Sequence, residues 1–355
     1  MSLGKNNQGH FFEDFEVGQT LVHGVPRTIT ESDATLYLAL TGSRFALHCA
    51  KTVANNVGFN STPIDNFLVF HIAFGKTVND ISLNAVANLG YAEVIFHHPS
   101  YVGDTISVFS RIIGLKENSS GKTGIVYVHS TATNQQNKTV LDWKRWVMVK
   151  KNNLNAPAAE QSVPKLMTRA DKQKQKLPNK IDFSKWQDSD SDFQVRFDDL
   201  NIGDTFSHGG GMTINDSDHS LATRLYQNNA RVHFDQTMMD NTPNGKRLVY
   251  GGHIISLCRA LSYSGLGNAV WLSSINAGTH CNPSFAGDTI YCQSKILDKS
   301  NIEGRKDVGL IRVQMIGTKN NSAIEINSIL EHKNKQKKYP DDTVLDLDYS
   351  VLVLK

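Results

Sequence analysis

The sequence predicts an α+β protein made of two tandem copies of one unit, each an antiparallel sheet able to wrap an apolar helix. Length, an internal repeat and the order of hydrophobic periodicities carry that prediction. At 355 residues the chain is too long for one ordinary core, and it fits two units of about 150 residues plus a connector. Phe15-Glu-Val-Gly18-Gln-Thr20 matches Leu200-Asn-Ile-Gly203-Asp-Thr205, with Gly203 standing 185 residues beyond Gly18. At the same spacing Thr28-Ile-Thr-Glu-Ser-Asp33 falls on Thr213-Ile-Asn-Asp-Ser-Asp218, and His48 falls on His233. Pro99-Ser-Tyr-Val-Gly-Asp-Thr-Ile106 then matches Pro283-Ser-Phe-Ala-Gly-Asp-Thr-Ile290, one residue out of step. Such anchors in a fixed order mark a duplicated unit. The division expected is 1–150, a connector over 151–191, and 192–355. The connector is rich in Lys, Gln, Asn, Pro and Ala, too polar to build a core, so it reads as a surface crossing.

Each copy opens on a short strand, Gln19–Val25 and Asp204–Gly209. Thr28 and Thr213, or the Asp residues after them, are suited to cap the helical patterns beginning at Ala34 and His219. A more apolar helix follows, over Asp65–Asp80 and Gly252–Gly265, where Ile254, Ile255, Leu257, Cys258 and Leu261 recur at helical spacing. Strand-like runs close each copy: Ala92–Phe96, Thr105–Leu115, Thr123–Thr133 and Val140–Lys150, then Ser273–His280, Thr289–Asp298, Asp307–Thr318 and Ala323–Lys333. Asn118-Ser-Ser-Gly121 reads as a hairpin loop.

Composition excludes several classes. A net charge of +3 argues against a dedicated nucleic-acid binder, and Lys333-Asn-Lys-Gln-Lys-Lys338 reads as a solvated loop. Cys49, Cys258, Cys281 and Cys292 form no CxxC pair and no His/Cys metal spacing, which predicts free thiols in a reducing cytoplasm and no metal. The longest apolar stretch, Phe67 to Phe74, contains His71 and falls far short of the ~20 residues that cross a bilayer. Neither a membrane nor a nucleic acid is expected as a partner; association with further copies of the chain is left open.

Several runs carry a family resemblance. They include Ala39-Leu-Thr-Gly-Ser-Arg-Phe-Ala-Leu47, Leu68-Val-Phe-His-Ile-Ala-Phe-Gly-Lys-Thr-Val78, Ala222-Thr-Arg-Leu-Tyr-Gln-Asn-Asn-Ala-Arg-Val-His233 and Val249-Tyr-Gly-Gly-His-Ile-Ile-Ser-Leu257. With these the sequence resembles the MaoC-type dehydratases, and within them the mesaconyl-CoA hydratase (β-methylmalyl-CoA dehydratase) group. The resemblance spans both halves. It implies a tandem, or double, hot-dog fold and reversible hydration of mesaconyl-CoA to β-methylmalyl-CoA without a cofactor, with an acyl-CoA thioester as the partner. MaoC-type hydratases carry Gly-Asp-x-Asn-Pro-(Leu/Ile)-His. Here the His is kept as His48 and His233, while the Asp position holds Ser43 and Asn228. The Asn position holds Phe45 and Ala230, and the Pro position holds Ala46 and Arg231.

Dehydrating a β-hydroxyacyl thioester puts negative charge on the thioester oxygen, which preorganised donors must meet. A helix amino end supplies them, and Gly251, Gly252 and His253 lead into the second apolar helix. The first copy has Asp65 and Asn66 there, bulkier and acidic. His233 is the expected acid/base, with Asn228 orienting oxygen and His48 a weaker second candidate. Asp235 reads as a helix cap and not as the missing acid. Arg231 is suited either to the substrate carboxylate or to an ordinary surface ion pair. Other readings remain open: hydration of another short enoyl-CoA or itaconyl-CoA, a thioesterase, or a catalytically weak acyl-CoA-binding protein.

Overall fold

The computed structural model describes residues 9–157, 160–171, 177 and 180–355. The first half runs β1 (Thr20–Val22), β2 (Arg27–Thr28), α1 (Glu31–Thr41), α2 (Ala46–Cys49), α3 (Lys51–Asn56) and α4 (Asn66–Lys76). It ends in the long strands β3 (Ala85–Phe96), β4 (Thr105–Glu117), β5 (Thr123–Thr133) and β6 (Thr139–Lys150). The second half repeats the order as β7 (Thr205–Ser207), β8 (Met212–Thr213), α5 (Asp216–Leu225), α6 (Gln236–Asp240), α7 (Gly251–Leu261) and α8 (Tyr263–Leu266). It closes with β9 (Ala269–His280), β10 (Thr289–Asn301), β11 (Val308–Lys319), α9 (Ile326–Gln336) and β12 (Thr343–Leu354).

The long strands alternate buried and less buried residues because one face packs on a helix. All pairings are antiparallel, in the order β1-β4-β5-β6-β3-β9-β12-β11-β10-β7, with β2 on β4 and β8 on β10. The two sheets join through β3 and β9, where Tyr91 faces Gly278 and Ile95 faces Ser274. The α+β class expected from sequence is thus realised as one continuous sheet carrying two apolar helices. Every residue of α4 is buried, and α7 is buried from Gly252 to Ala260. The helices meet back to back, where Ser256 Oγ lies 3.0 Å from both the Tyr37 hydroxyl and His71 Nε2. Burying two apolar helices in one shared core is the main favourable term, since apolar burial contributes ~25 cal/mol per Å².

Local readings differ in three places. The helices expected to be capped by Thr28 and Thr213, or by the Asp residues after them, are capped instead at Thr30, whose Oγ1 accepts from Asp33 N, and at Asn215, which heads α5. The span Ala323–Lys333, expected as a strand, belongs mostly to α9, and the closing strand comes afterwards. Its isoleucines look strand-like, but Ile326, Ile329 and Leu330 sit at helical spacing and pack with Ile316. The lysine-rich run from Lys333 correspondingly begins inside that helix. Finally, the connector segment 180–191 is more than a surface crossing: Ile181 and Phe183 are buried with Phe59 and Trp271. Among the described residues no helix is long and apolar enough to cross a membrane.

Candidate active site

A cavity of about 430 Å³ opens between the halves. The second half contributes Asn228, Ala230, Arg231, His233, Tyr250, Gly251 and His280; β3 and β6 contribute Tyr91 and Arg145. His233 ends a one-turn helix, Arg231–His233, held by its N–H on the Ala230 carbonyl at 3.0 Å. Its Nδ1 lies 2.8 Å from the Leu248 carbonyl, while Leu248 N–H donates to the Val232 carbonyl at 2.9 Å. A carbonyl only accepts, so Nδ1 carries the proton and Nε2 keeps its lone pair. Nε2 bonds to no described residue, and the ring lines the cavity.

Burial pushes the pKa of His233 down to about 4; the Leu248 carbonyl opposes that and the neighbouring His219 adds to it. The imidazole is therefore neutral at physiological pH, ready to accept a proton. Burial also holds His253 and His280 at about 4. Unfolded histidines titrate near ~6.5, so between pH 6.5 and 4 the unfolded chain binds more protons than the folded one. Stability is then fully present above ~6.5 and is lost as pH falls toward 4. Urea titrations should show a flat plateau from pH 7 to 8 and a steep loss below 6. A reaction that uses His233 as base should show no inflection in kcat/KM near pH 6.5, where an ordinary histidine would give one.

The amino end of α7 is the second component. Its N-cap, Tyr250, makes no side-chain cap, so the first amides are left open. Gly251 lines the cavity. Neither Gly252 nor His253 is among the described residues lining it, and the His253 N–H is already spent on the Tyr250 carbonyl at 2.8 Å. Gly252 has a packing reason instead: a Cβ there would meet the Tyr250 ring at 2.4 Å and His71 Nδ1 at 2.6 Å. The His253 side chain is buried. Of the three expected donors, only Gly251 faces the space a thioester would occupy.

Asn228 is buried beside His233, and its side-chain oxygen accepts from Ala230 N–H at 3.0 Å. That leaves the amide nitrogen for a substrate oxygen. Asp235 accepts from Met238 N at 2.9 Å and caps α6, as its position suggested. Arg231 is exposed at the mouth, near the equally exposed Lys150.

The first half is built differently at each corresponding point. His48 Nδ1 likewise reaches a carbonyl, that of Pro63, at 2.9 Å. However, the α4 amino end is closed by Asp65, whose Oδ1 accepts from Phe67 N–H at 2.8 Å. An enolate there would meet a carboxylate in place of free amides. Phe45, standing where the second half has Ala230, is buried against Tyr263 and under the Arg259 guanidinium, 3.6 Å from its centroid. His48 instead borders a separate pocket with Glu31 and Asp65. Tyr91, His280 and Arg145 were not singled out from sequence. Tyr91 Oη lies 3.0 Å from His280 Nε2, and the signal for Arg145 was a charge at the inward phase of a strand. Among the described residues no cluster of three His, Cys, Asp or Glu is placed to hold a metal.

Comparison with known proteins gives the chain's family. The family model described as mesaconyl-CoA hydratase matches residues 3–325. The chain is 48% identical to a β-methylmalyl-CoA dehydratase of Chloroflexus aurantiacus over 98% of each chain. It is 43% identical to a mesaconyl-CoA hydratase of Cereibacter sphaeroides, over 98% of this chain and 99% of that one. A crystal structure of a putative MaoC domain protein dehydratase from Chloroflexus aurantiacus superposes with a TM-score of 0.95 at 48% identity, covering 99% of both chains. A Mycobacterium tuberculosis protein described as a double hotdog fold shares the fold alone, at 22% identity and a TM-score of 0.73. The chain belongs to the mesaconyl-CoA hydratase family.

Proposed function

We propose that this chain is a hydro-lyase that reversibly hydrates mesaconyl-CoA to β-methylmalyl-CoA, using His233 as the single acid/base. The observation that carries the reading is one cavity lined by both the free Nε2 face of His233 and the uncapped amino end of α7. In hydration, Nε2 accepts a proton from water as its oxygen bonds to C3 of the acyl group. The electron pair of the C2–C3 double bond moves toward the thioester carbonyl, whose oxygen becomes an enolate facing Gly251 N–H. His233, now protonated, delivers the proton to C2 on the same face and returns to neutral. The Asn228 amide holds the attacking oxygen but takes no proton. No cofactor enters these steps.

We assign turnover to the second half, with the first half supplying a cavity wall. Replacing His48 by alanine should leave turnover essentially unchanged. Loss comparable to that of a His233 variant would contradict the assignment. The division at 1–150, 151–191 and 192–355, and a cytoplasmic location suited to free thiols, belong to the same reading. Incubating the purified chain with mesaconyl-CoA and following products by mass spectrometry tests it. The expected product is the thioester plus one water. Free CoA without it would mean a thioesterase, and unchanged substrate a binding protein.

A further inference from the structure

The hydration steps leave unused a buried cation without a counter-charge. Arg145 lies on β6 at an inward phase, 1% exposed, and lines the cavity. Its partners are two neutral hydroxyls: Nη2 donates to Thr77 Oγ1 at 3.0 Å, and Ser82 Oγ lies 3.4 Å from both Nη atoms. Its Nε has no partner, and the guanidinium packs on the Phe74 ring at 4.3 Å. No described carboxylate pairs with it. Burial lowers its pKa to about 10, still far above neutrality, so the charge persists.

Arg259 provides an internal comparison. It is buried over Phe45, but its Nη2 ends on the Ala269 carbonyl at 2.6 Å, and it is not among the described residues lining the cavity. One buried guanidinium is sealed by backbone; the other faces empty space with donors to spare. The position is also particular to one half. Arg145 pairs with Tyr91, whereas the residue paired with Ile275, 184 positions after Tyr91, is Tyr349. Isolated burial of a charge costs several kcal/mol unless an anion meets it.

We propose that Arg145 binds the free carboxylate of the acyl group and so selects dicarboxylic acyl-CoA esters over plain ones, an inference that rests on the hydratase reading above. In mesaconyl-CoA the carboxylate is attached to C3, the carbon that water attacks. Anchoring it on β6 holds C3 against the wall that carries His233. The intervening surface is aromatic: Tyr250 lies 5.7 Å from His233, and Phe74, under the guanidinium, 5.9 Å from Tyr250. A planar guanidinium suits a carboxylate in two-pronged geometry. Arg231, by contrast, is exposed, as is Lys150 on the same cavity. Solvated cations at the mouth suit the CoA phosphates.

The test compares mesaconyl-CoA with 2-methylcrotonyl-CoA, in which a methyl group replaces the carboxylate. Wild type should strongly prefer mesaconyl-CoA. Arg145→Met should lower its kcat/KM by ~10²- to 10³-fold, mainly through KM, while 2-methylcrotonyl-CoA is unchanged or improved. Arg145→Lys, keeping charge without the fork, should lose ~10-fold. The substrate-free Met variant should melt no lower than wild type, because the buried charge it removes has no counter-charge. Equal losses on both substrates with a lowered Tm would make Arg145 structural and overturn the proposal. So would unchanged selectivity in Arg145→Lys, should the Met variant not fold. A wild type inactive on both thioesters would overturn the hydratase reading, and this one with it.

Discussion

Replacing His233 by alanine is expected to lower kcat for mesaconyl-CoA hydration by ~10³-fold while leaving a folded protein, because positioned acid/base groups contribute 10²–10⁴-fold. His280 lines the same cavity but is held by the Tyr91 hydroxyl at 3.0 Å. Asn228 cannot accept a proton, Asp235 is committed to the Met238 amide, and His253 is buried and not among the described residues lining the cavity. The substitution leaves the Leu248 carbonyl without its Nδ1 donor, costing about 1 kcal/mol. Circular dichroism and a melting curve separate that small change from the loss of turnover. Activity within a few-fold of wild type would contradict the assignment.

The second large effect is expected at Gly251. A Cβ there would meet the His280 ring at 2.4 Å, and that ring is fixed by Tyr91 at 3.0 Å. Gly251→Ala must therefore move His280 or the amino end of α7, displacing the open amide. Removing an oxyanion donor typically lowers kcat by ~10²–10³-fold. Because the enolate charge exists only in the transition state, kcat and kcat/KM should fall together while KM changes little. Steady-state kinetics decide it: a rise in KM with normal kcat would mean that Gly251 serves only binding. Asp65 of the first half offers a contrast, since its carboxylate occupies the Phe67 amide, the counterpart of Gly252, and puts a negative charge at that helix end.

The duplication was legible because turns constrain sequence tightly. Gly103 and Gly287 both have φ near +95° (96° and 95°), a conformation that favours glycine and keeps the two Pro-Ser-x-x-Gly-Asp turns alike. The motif pointed to His233, which lines the cavity, and capping chemistry pointed to Asp235. The choice among the three donors was not legible, because it depends on whether the 253 amide closes a turn back onto Tyr250. Arg145 was missed for a different reason. In Leu141-Asp-Trp-Lys-Arg-Trp-Val a charged residue reads as outward-facing, and only its phase with Trp143 and Val147, both buried, places it inside. The α9 segment misled because isoleucine serves strands and helices alike, and the insertion before β12 has no counterpart in the first half.

Everything proposed about the chemistry depends on a lone imidazole working from one side of the acyl group. Hydration of mesaconyl-CoA creates stereocentres at both C2 and C3, so the relative configuration of the product records which faces received hydrogen and hydroxyl. Proton NMR of enzymatically formed β-methylmalyl-CoA against both synthetic diastereomers reads it directly. One base on one face predicts the product of syn addition. The anti product would require a second proton donor across the cavity and would contradict the role given to His233.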